Sequence, residues 1–168
     1  MKTIVAEVRY AETGDAAELS AVHDAAWRST YGGLIPYKAL GRMIERRNPA
    51  WWERAVRNRS AILVVEFDGV MAGYATLGQN RTGALAVEGE IYELYIRPEF
   101  QGAGFGRLLF EAARALLSAR GLRGLAVWAL EDNTRALDFY KALGGVDIAA
   151  GEETFDGVTL GKVAFIWA

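Results

Sequence analysis

Cysteine is absent from the chain, histidine occurs once, and proline occurs three times. The first absence excludes a disulfide framework, a thiolate nucleophile and any cysteine-ligated metal, and it fits a reducing compartment. With His23 as the sole imidazole, a transition-metal site is not expected. A Ser-His hydrolase lacks support too, since there is no Gly-x-Ser-x-Gly elbow. An excess of one charge is also missing. The 19 basic and 21 acidic side chains leave a formal net charge of −2, which argues against a nucleic-acid binder that relies on a broad basic surface. No window reaches the ~18 uninterrupted apolar residues of a membrane helix. Residues 1–7 lack the apolar core of a signal peptide, so the expectation is a soluble, cytoplasmic protein.

What is present is 52% hydrophobic content over 168 residues, enough for the core of one ordinary domain spanning residues 1–168. No repeat, linker or low-complexity run interrupts it. The central stretch is residues 97–109. An apolar run ending at Ile96 is stopped by Pro98, and Gly102, Gly104 and Gly106 deliver the chain into the amphipathic series Leu108, Leu109, Ala112, Ala113, Leu116 and Leu117. Such a strand, glycine turn and helix point unpaired N–H groups and the positive end of a helix dipole at one spot, which favours an anion such as phosphate. Arg107 adds a mobile charge. The spacing matches neither the Rossmann fingerprint nor a P-loop, because a third glycine at the right interval and a Lys-Ser/Thr pair are both missing.

In chain order, residues 5–10 alternate as a strand, and Asp15 with Glu18 reads as a capping box opening a helix with the stripe Leu19, Val22, His23, Ala26 and Trp27. His23 on that stripe reads as a packed imidazole rather than a catalytic one. Gly32, Gly33 and Pro36 break the helix. A short helix around residues 38–43 and a second start at Asn48-Pro49 follow. Trp51 and Trp52 are adjacent, so at most one of them faces the core. Residues 61–67 and 70–77 form two strands joined by Asp68-Gly69, a two-residue hairpin signal. Residues 79–83 read as a loop, residues 85–96 as a strand, Gly121 as a helix stop and residues 125–130 as a buried strand. Two final strands, residues 146–149 and 158–167, flank Asp156-Gly157. The order implies an α+β fold, a mixed sheet of about seven strands with about four helices on its two faces, antiparallel early and parallel at the centre.

Gln101-x-x-Gly104-x-Gly106 resembles the acetyl-CoA signature of the GNAT N-acetyltransferases. The segment from Asn133 to Gly144, an Asn opening a helix that carries Phe139-Tyr140 before a closing glycine, resembles a later motif of that family. Two motifs in order are more specific than one, and the resemblance covers nearly the whole chain. It implies acetyl-CoA as cosubstrate, with no metal. The pantetheine arm would lie between two splayed strands against the main chain of Leu94, Tyr95 and Ile96. The pyrophosphate would sit on Gln101, Gly102, Ala103, Gly104, Phe105, Gly106 and Arg107, with Asn133, Phe139 and Tyr140 completing the cofactor site.

The same resemblance implies a catalytic base at Glu90, counted back from Gln101, with Glu93 as second candidate, and a general acid at Tyr140. Glu90 and Glu93 have opposite parity on an unbroken strand, and a bulge would change that. Trp27 and Tyr31 fall where the family commonly builds a wall of the acceptor site; core packing is their other reading. The acceptor expected is a primary amine of a small molecule or peptide, and the cluster Glu88, Glu90 and Glu93 mildly favours a cationic one. The alternative is a non-catalytic acyl-CoA-binding or sensing module. A homodimer is also expected, with the apolar last strand as one possible contact. Two departures stand out: Ala103 replaces a frequent basic residue, and Gly145 replaces a frequent aromatic.

Overall fold

The computed structural model describes residues 5–168; residues 1–4, part of the segment read above for a missing leader, lie outside it. Seven strands join in one mixed sheet, β1 (Glu7–Tyr10), β2 (Ala61–Phe67), β3 (Val70–Gln79), β4 (Gly89–Ile96), β5 (Leu125–Leu130), β6 (Val146–Phe155) and β7 (Val158–Trp167). Their spatial order is β1-β2-β3-β4-β5-β7-β6. All neighbours are antiparallel except β4 and β5. Five helices accompany the sheet, α1 (Ala16–Tyr31), α2 (Tyr37–Arg46), α3 (Pro49–Arg57), α4 (Phe105–Ala119) and α5 (Thr134–Ala142). The stretch before β2 thus forms two separate helices, because Asn48 breaks off the first and caps the second, its side chain accepting the Trp51 N–H at 2.9 Å.

Alternation along β2 divides the core. Leu63 and Val65 face α4, where they meet Leu109, Phe110, Ala113 and Leu117. Ile62 and Val64 face the opposite way, against Leu19 and Val22 of α1 and Trp52 of α3. The two hairpins close as the sequence signals require: Asp68-Gly69 and Asp156-Gly157 both adopt positive φ at both positions, the condition for a turn whose twist matches its strands.

Two local expectations are corrected. Asp15 does not cap α1 with its side chain. Its carboxylate is held by the Arg9 guanidinium at 2.7 Å and by the Glu12 N–H at 2.7 Å, while Glu18 reaches across to the Met71 N–H. The segment 85–88 is not strand. The Asn80 side chain bonds the carbonyls of Thr82 and Val87, so β4 begins only at Gly89. Among the described residues, no helix is long and apolar enough to cross a membrane.

The last strand, β7, is interior, flanked by β5 and β6, and its Phe165 and Trp167 are buried. The strand therefore offers no free edge to a second copy. Trp167 also explains Gly145. A Cβ there would lie 2.6 Å from the indole ring, so the space for an aromatic at this position is already filled by one.

Candidate functional site

The parallel pair β4 and β5 is joined only over Gly89, Glu90 and Ile91, opposite Leu125, Ala126 and Val127. Beyond that the strands part, and residues from Glu93 to Ile96 keep their pairing with β3 alone. Backbone groups on the free side are open to a ligand that adds like a partial strand. The register also slips: Leu77 pairs with Ile91 and Thr76 with Glu93, leaving Tyr92 as an extra residue. This bulge puts Glu90 and Glu93 on the same face despite their odd spacing.

A cavity of about 370 Å³ lies beside the freed end of β4, lined by Leu94, Tyr95, Ile96, Gln101, Gly102, Gly104, Gly106, Arg107, Asn133, Phe139 and Tyr140. The turn that forms its floor depends on glycine. Gly102 and Gly104 have φ of 82° and 86°, a region costly for other residues. Gly104 begins α4 with no side-chain cap, and the first intrahelical bond runs from the Leu108 N–H to its carbonyl. The amides of residues 105–107 precede that bond and point along the helix axis as free donors. Gln101 helps fix the turn by donating to the Ile96 carbonyl at 3.3 Å. Two expected residues do not line the cavity with their side chains. Ala103 is exposed, and Phe105 is buried in the core against Phe67 and Phe100, so only their amides are available.

On the far side of Tyr95 lies a larger cavity of about 970 Å³, on the face of α1 and α3, lined by Trp27, Tyr31, Glu90, Glu93 and Tyr95 among others. Tyr95 lines both cavities. Its hydroxyl is 2.5 Å from that of Tyr31. Burial raises the pKa of Tyr31 to about 12 and that of Tyr95 well above the usual value. Trp27 stacks on His23 at 4.6 Å and meets Tyr31 edge-on at 5.1 Å. Trp52 is fully buried and Trp51 is not.

The two glutamates differ in environment. Both oxygens of Glu90 are bound by Arg81, Oε1 by its backbone N–H and Oε2 by its guanidinium, each at 2.9 Å. Its side chain is 2% exposed. Glu93, at the start of the open edge, accepts from Arg47 and Thr76 at 3.1 Å and from the Tyr74 hydroxyl at 3.2 Å. Glu88 lies on the exposed side and accepts the Arg123 N–H. The three acidic residues therefore do not form one unpaired cluster. Tyr140 is buried among Phe110, Phe139, Phe165 and Trp167. Burial raises its pKa, first of all causes, so the phenol keeps its proton at neutral pH. Asn133 Oδ1 caps α5 by accepting the Ala136 N–H at 3.3 Å.

Sequence reasoning missed Arg47, Arg54, Arg81, Trp128, Glu153 and Lys162, which line the larger cavity. Arg54, Trp128, Glu153 and Lys162 come from α3, β5, β6 and β7, and Arg47 and Arg81 from the segments after α2 and β3, so they share no local motif. Among the described residues, no group of three or more metal-ligating side chains is placed to hold an ion.

Residues 19–144 match the model of the acetyltransferase (GNAT) family. Over 161 residues, 95% of this chain and 91% of the other, the sequence is 29% identical to an uncharacterized N-acetyltransferase, YuaI, of Bacillus subtilis. A GCN5-related N-acetyltransferase structure from Rhodopseudomonas palustris is similar with a TM-score of 0.75 and 21% identity, covering 99% of this chain and 98% of that one. A PaiA N-acetyltransferase of Thermoplasma acidophilum, solved in complex with coenzyme A, is similar with a TM-score of 0.72 and 18% identity, covering 94% and 98%. At these identities the two structures establish a shared fold.

Proposed function

The chain belongs to the acetyltransferase (GNAT) family and is an acyltransferase, and from that premise we propose that it moves the acetyl group of acetyl-CoA to a primary amine of a small molecule or peptide. The observation that carries the reading is the parting of β4 and β5 after Ile91 and Val127, with a cavity on either side of Tyr95. The smaller cavity suits the cosubstrate. Free backbone groups of Leu94, Tyr95 and Ile96 face the pantetheine arm, and the uncapped amides at the start of α4 face the pyrophosphate. Arg107 and Arg135 at the rim take the place of the basic side chain missing at Ala103.

The larger cavity suits the amine. With a pKa near 10, only about one amine in a thousand is neutral at pH 7, so attack requires a proton acceptor. We assign that role to Glu93, through a water molecule, ahead of Glu90. Glu93 borders the open edge and is held partly by neutral hydroxyls, whereas a proton on Glu90 would disrupt its double contact with Arg81. The amine nitrogen bonds to the acetyl carbon as the carbon–sulfur bond breaks. A backbone N–H of the free β4 edge faces the developing oxyanion, the amine proton passes to Glu93, and the Tyr140 hydroxyl donates to the departing sulfur. A cytoplasmic location is part of this proposal. So is a homodimer, which would use the edge strand β6, where Val146 and Ile148 are exposed, rather than β7.

Isothermal titration with acetyl-CoA, followed by thiol release against a panel of amines, tests the reading. Micromolar binding with turnover of at least one amine is the expected result. Binding without turnover of any amine would instead make the protein a non-catalytic acyl-CoA-binding module, and absence of binding would refute the site.

A further inference from the structure

We propose that the acceptor is a primary amine whose chain ends in an anionic group, a carboxylate or a phosphate, rather than a polycation. The inference rests on the acetyltransferase reading above and concerns the far end of the larger cavity. Four cationic side chains line that cavity, Arg47, Arg54, Arg81 and Lys162, against three carboxylates, Glu90, Glu93 and Glu153. Each carboxylate is already paired: Glu93 with Arg47 at 3.1 Å, Glu90 with Arg81 at 2.9 Å and Glu153 with Lys162 at 3.1 Å. Arg54 has no ion-pair partner among the described residues. A second cationic group on the acceptor would find no free carboxylate there and would meet a surplus of positive charge.

The spare donors also lie at one end. β4 rises about 3.3 Å per residue, so Glu90 and Tyr95 stand roughly 15 Å apart along the cavity. Tyr95 marks the end where the acetyl group arrives, since it also lines the cofactor cavity. Arg81, paired with Glu90, marks the other. Its guanidinium lies over the Tyr92 ring, with Cζ 4.0 Å from the centroid, and gives Glu90 only one of its nitrogens, which leaves donors directed elsewhere. Arg54 shares that end: Asn58 and Ser60, which follow it and line the same cavity, lead into Ala61, which pairs with Leu77 only four residues before Arg81. The wall therefore has cationic donors to spare and no carboxylate without a cationic partner, and an anion several bonds from the reacting nitrogen complements it.

The test compares kcat/KM for ω-aminohexanoate and ω-aminohexyl phosphate with hexylamine and hexanediamine at saturating acetyl-CoA; the first two amines separate carboxylate from phosphate. The expected result is a preference of about tenfold or more for an anion-bearing amine over both others, the size of one charge-assisted contact. Arg54→Ala should reduce that ratio about tenfold, and Arg54→Glu should invert it toward the diamine. Raising the salt concentration of the unaltered protein should also shrink it. Equal or better use of hexylamine or hexanediamine, or an unchanged ratio in both Arg54 variants, overturns the inference and leaves the acetyltransferase reading standing. So does acetyl-CoA binding with no anion-bearing amine turned over. Failure to bind acetyl-CoA at all refutes the underlying reading and the inference with it.

Discussion

His23, Glu90, Glu93 and Tyr140 are ionisable groups near or inside the core, and each is handled differently. His23 is 1% exposed, and burial, helped by the charge of Arg47, lowers its pKa to about 3. The folded protein therefore binds fewer protons here than the unfolded chain, whose histidine titrates near 6.5. This residue's contribution is complete above pH 6.5 and declines as pH falls toward 3, by about 1.4 kcal/mol per unit within that window. Urea unfolding at pH 6.5 and pH 5 should show the unaltered protein losing about 2 kcal/mol more than His23→Leu does. Tyr140→Phe should lower kcat about a hundredfold, with acetyl-CoA affinity changed less than about threefold, as expected for a group that matters when sulfur departs. Glu93→Gln should lower kcat comparably. Glu90→Gln should act mainly on stability. Removing one member of a buried pair is destabilising, but Arg81 is 65% exposed, so we expect a loss of about 1–2 kcal/mol, read as a drop in denaturant midpoint. A larger kcat loss in Glu90→Gln than in Glu93→Gln would reverse our assignment of the base.

At the scale of elements, the site is made by two local irregularities. One is the glycine turn into α4, and the other is the bulge at Tyr92. The turn was legible in advance because glycine spacing is itself the physical requirement: positive φ at Gly102 and Gly104 and an uncapped helix start. Gly104→Ala should cost about 1–2 kcal/mol of strain and weaken acetyl-CoA binding at least several-fold in calorimetry, with α4 intact by circular dichroism. The bulge was not legible, because no residue type is needed for it; it follows from β4 pairing with β3 on one side while parting from β5 on the other. The same limit applies to Asp15 and Glu18. Their spacing fitted a capping box, but Arg9, on the neighbouring strand β1, took the aspartate and the Met71 N–H took Glu18 instead.

At the scale of the whole molecule, the site we propose for acetyl-CoA is built from β4, α4 and α5, and any ligand that bridges them should stabilise the fold. Acetyl-CoA at a hundred times its dissociation constant should add about 2.7 kcal/mol, a rise of several degrees in Tm for a chain of this size, measurable by thermal melting. What the sequence by itself determined is whatever depends on local geometry and short spacing. That includes the two hairpins, the α1 stripe, the glycine turn, the Asn133 cap and the order of strands and helices, all set by residues that act within a few positions of each other. Tertiary structure alone decided which charges meet. Glu90 and Arg81, Glu93 and Arg47, and Glu153 and Lys162 are pairs whose members lie nine or more residues apart. Sheet order, not spacing, brings those three pairs around one cavity. A charge seen in the sequence has a sign but no partner, and the partner fixes whether a wall attracts a cation or an anion.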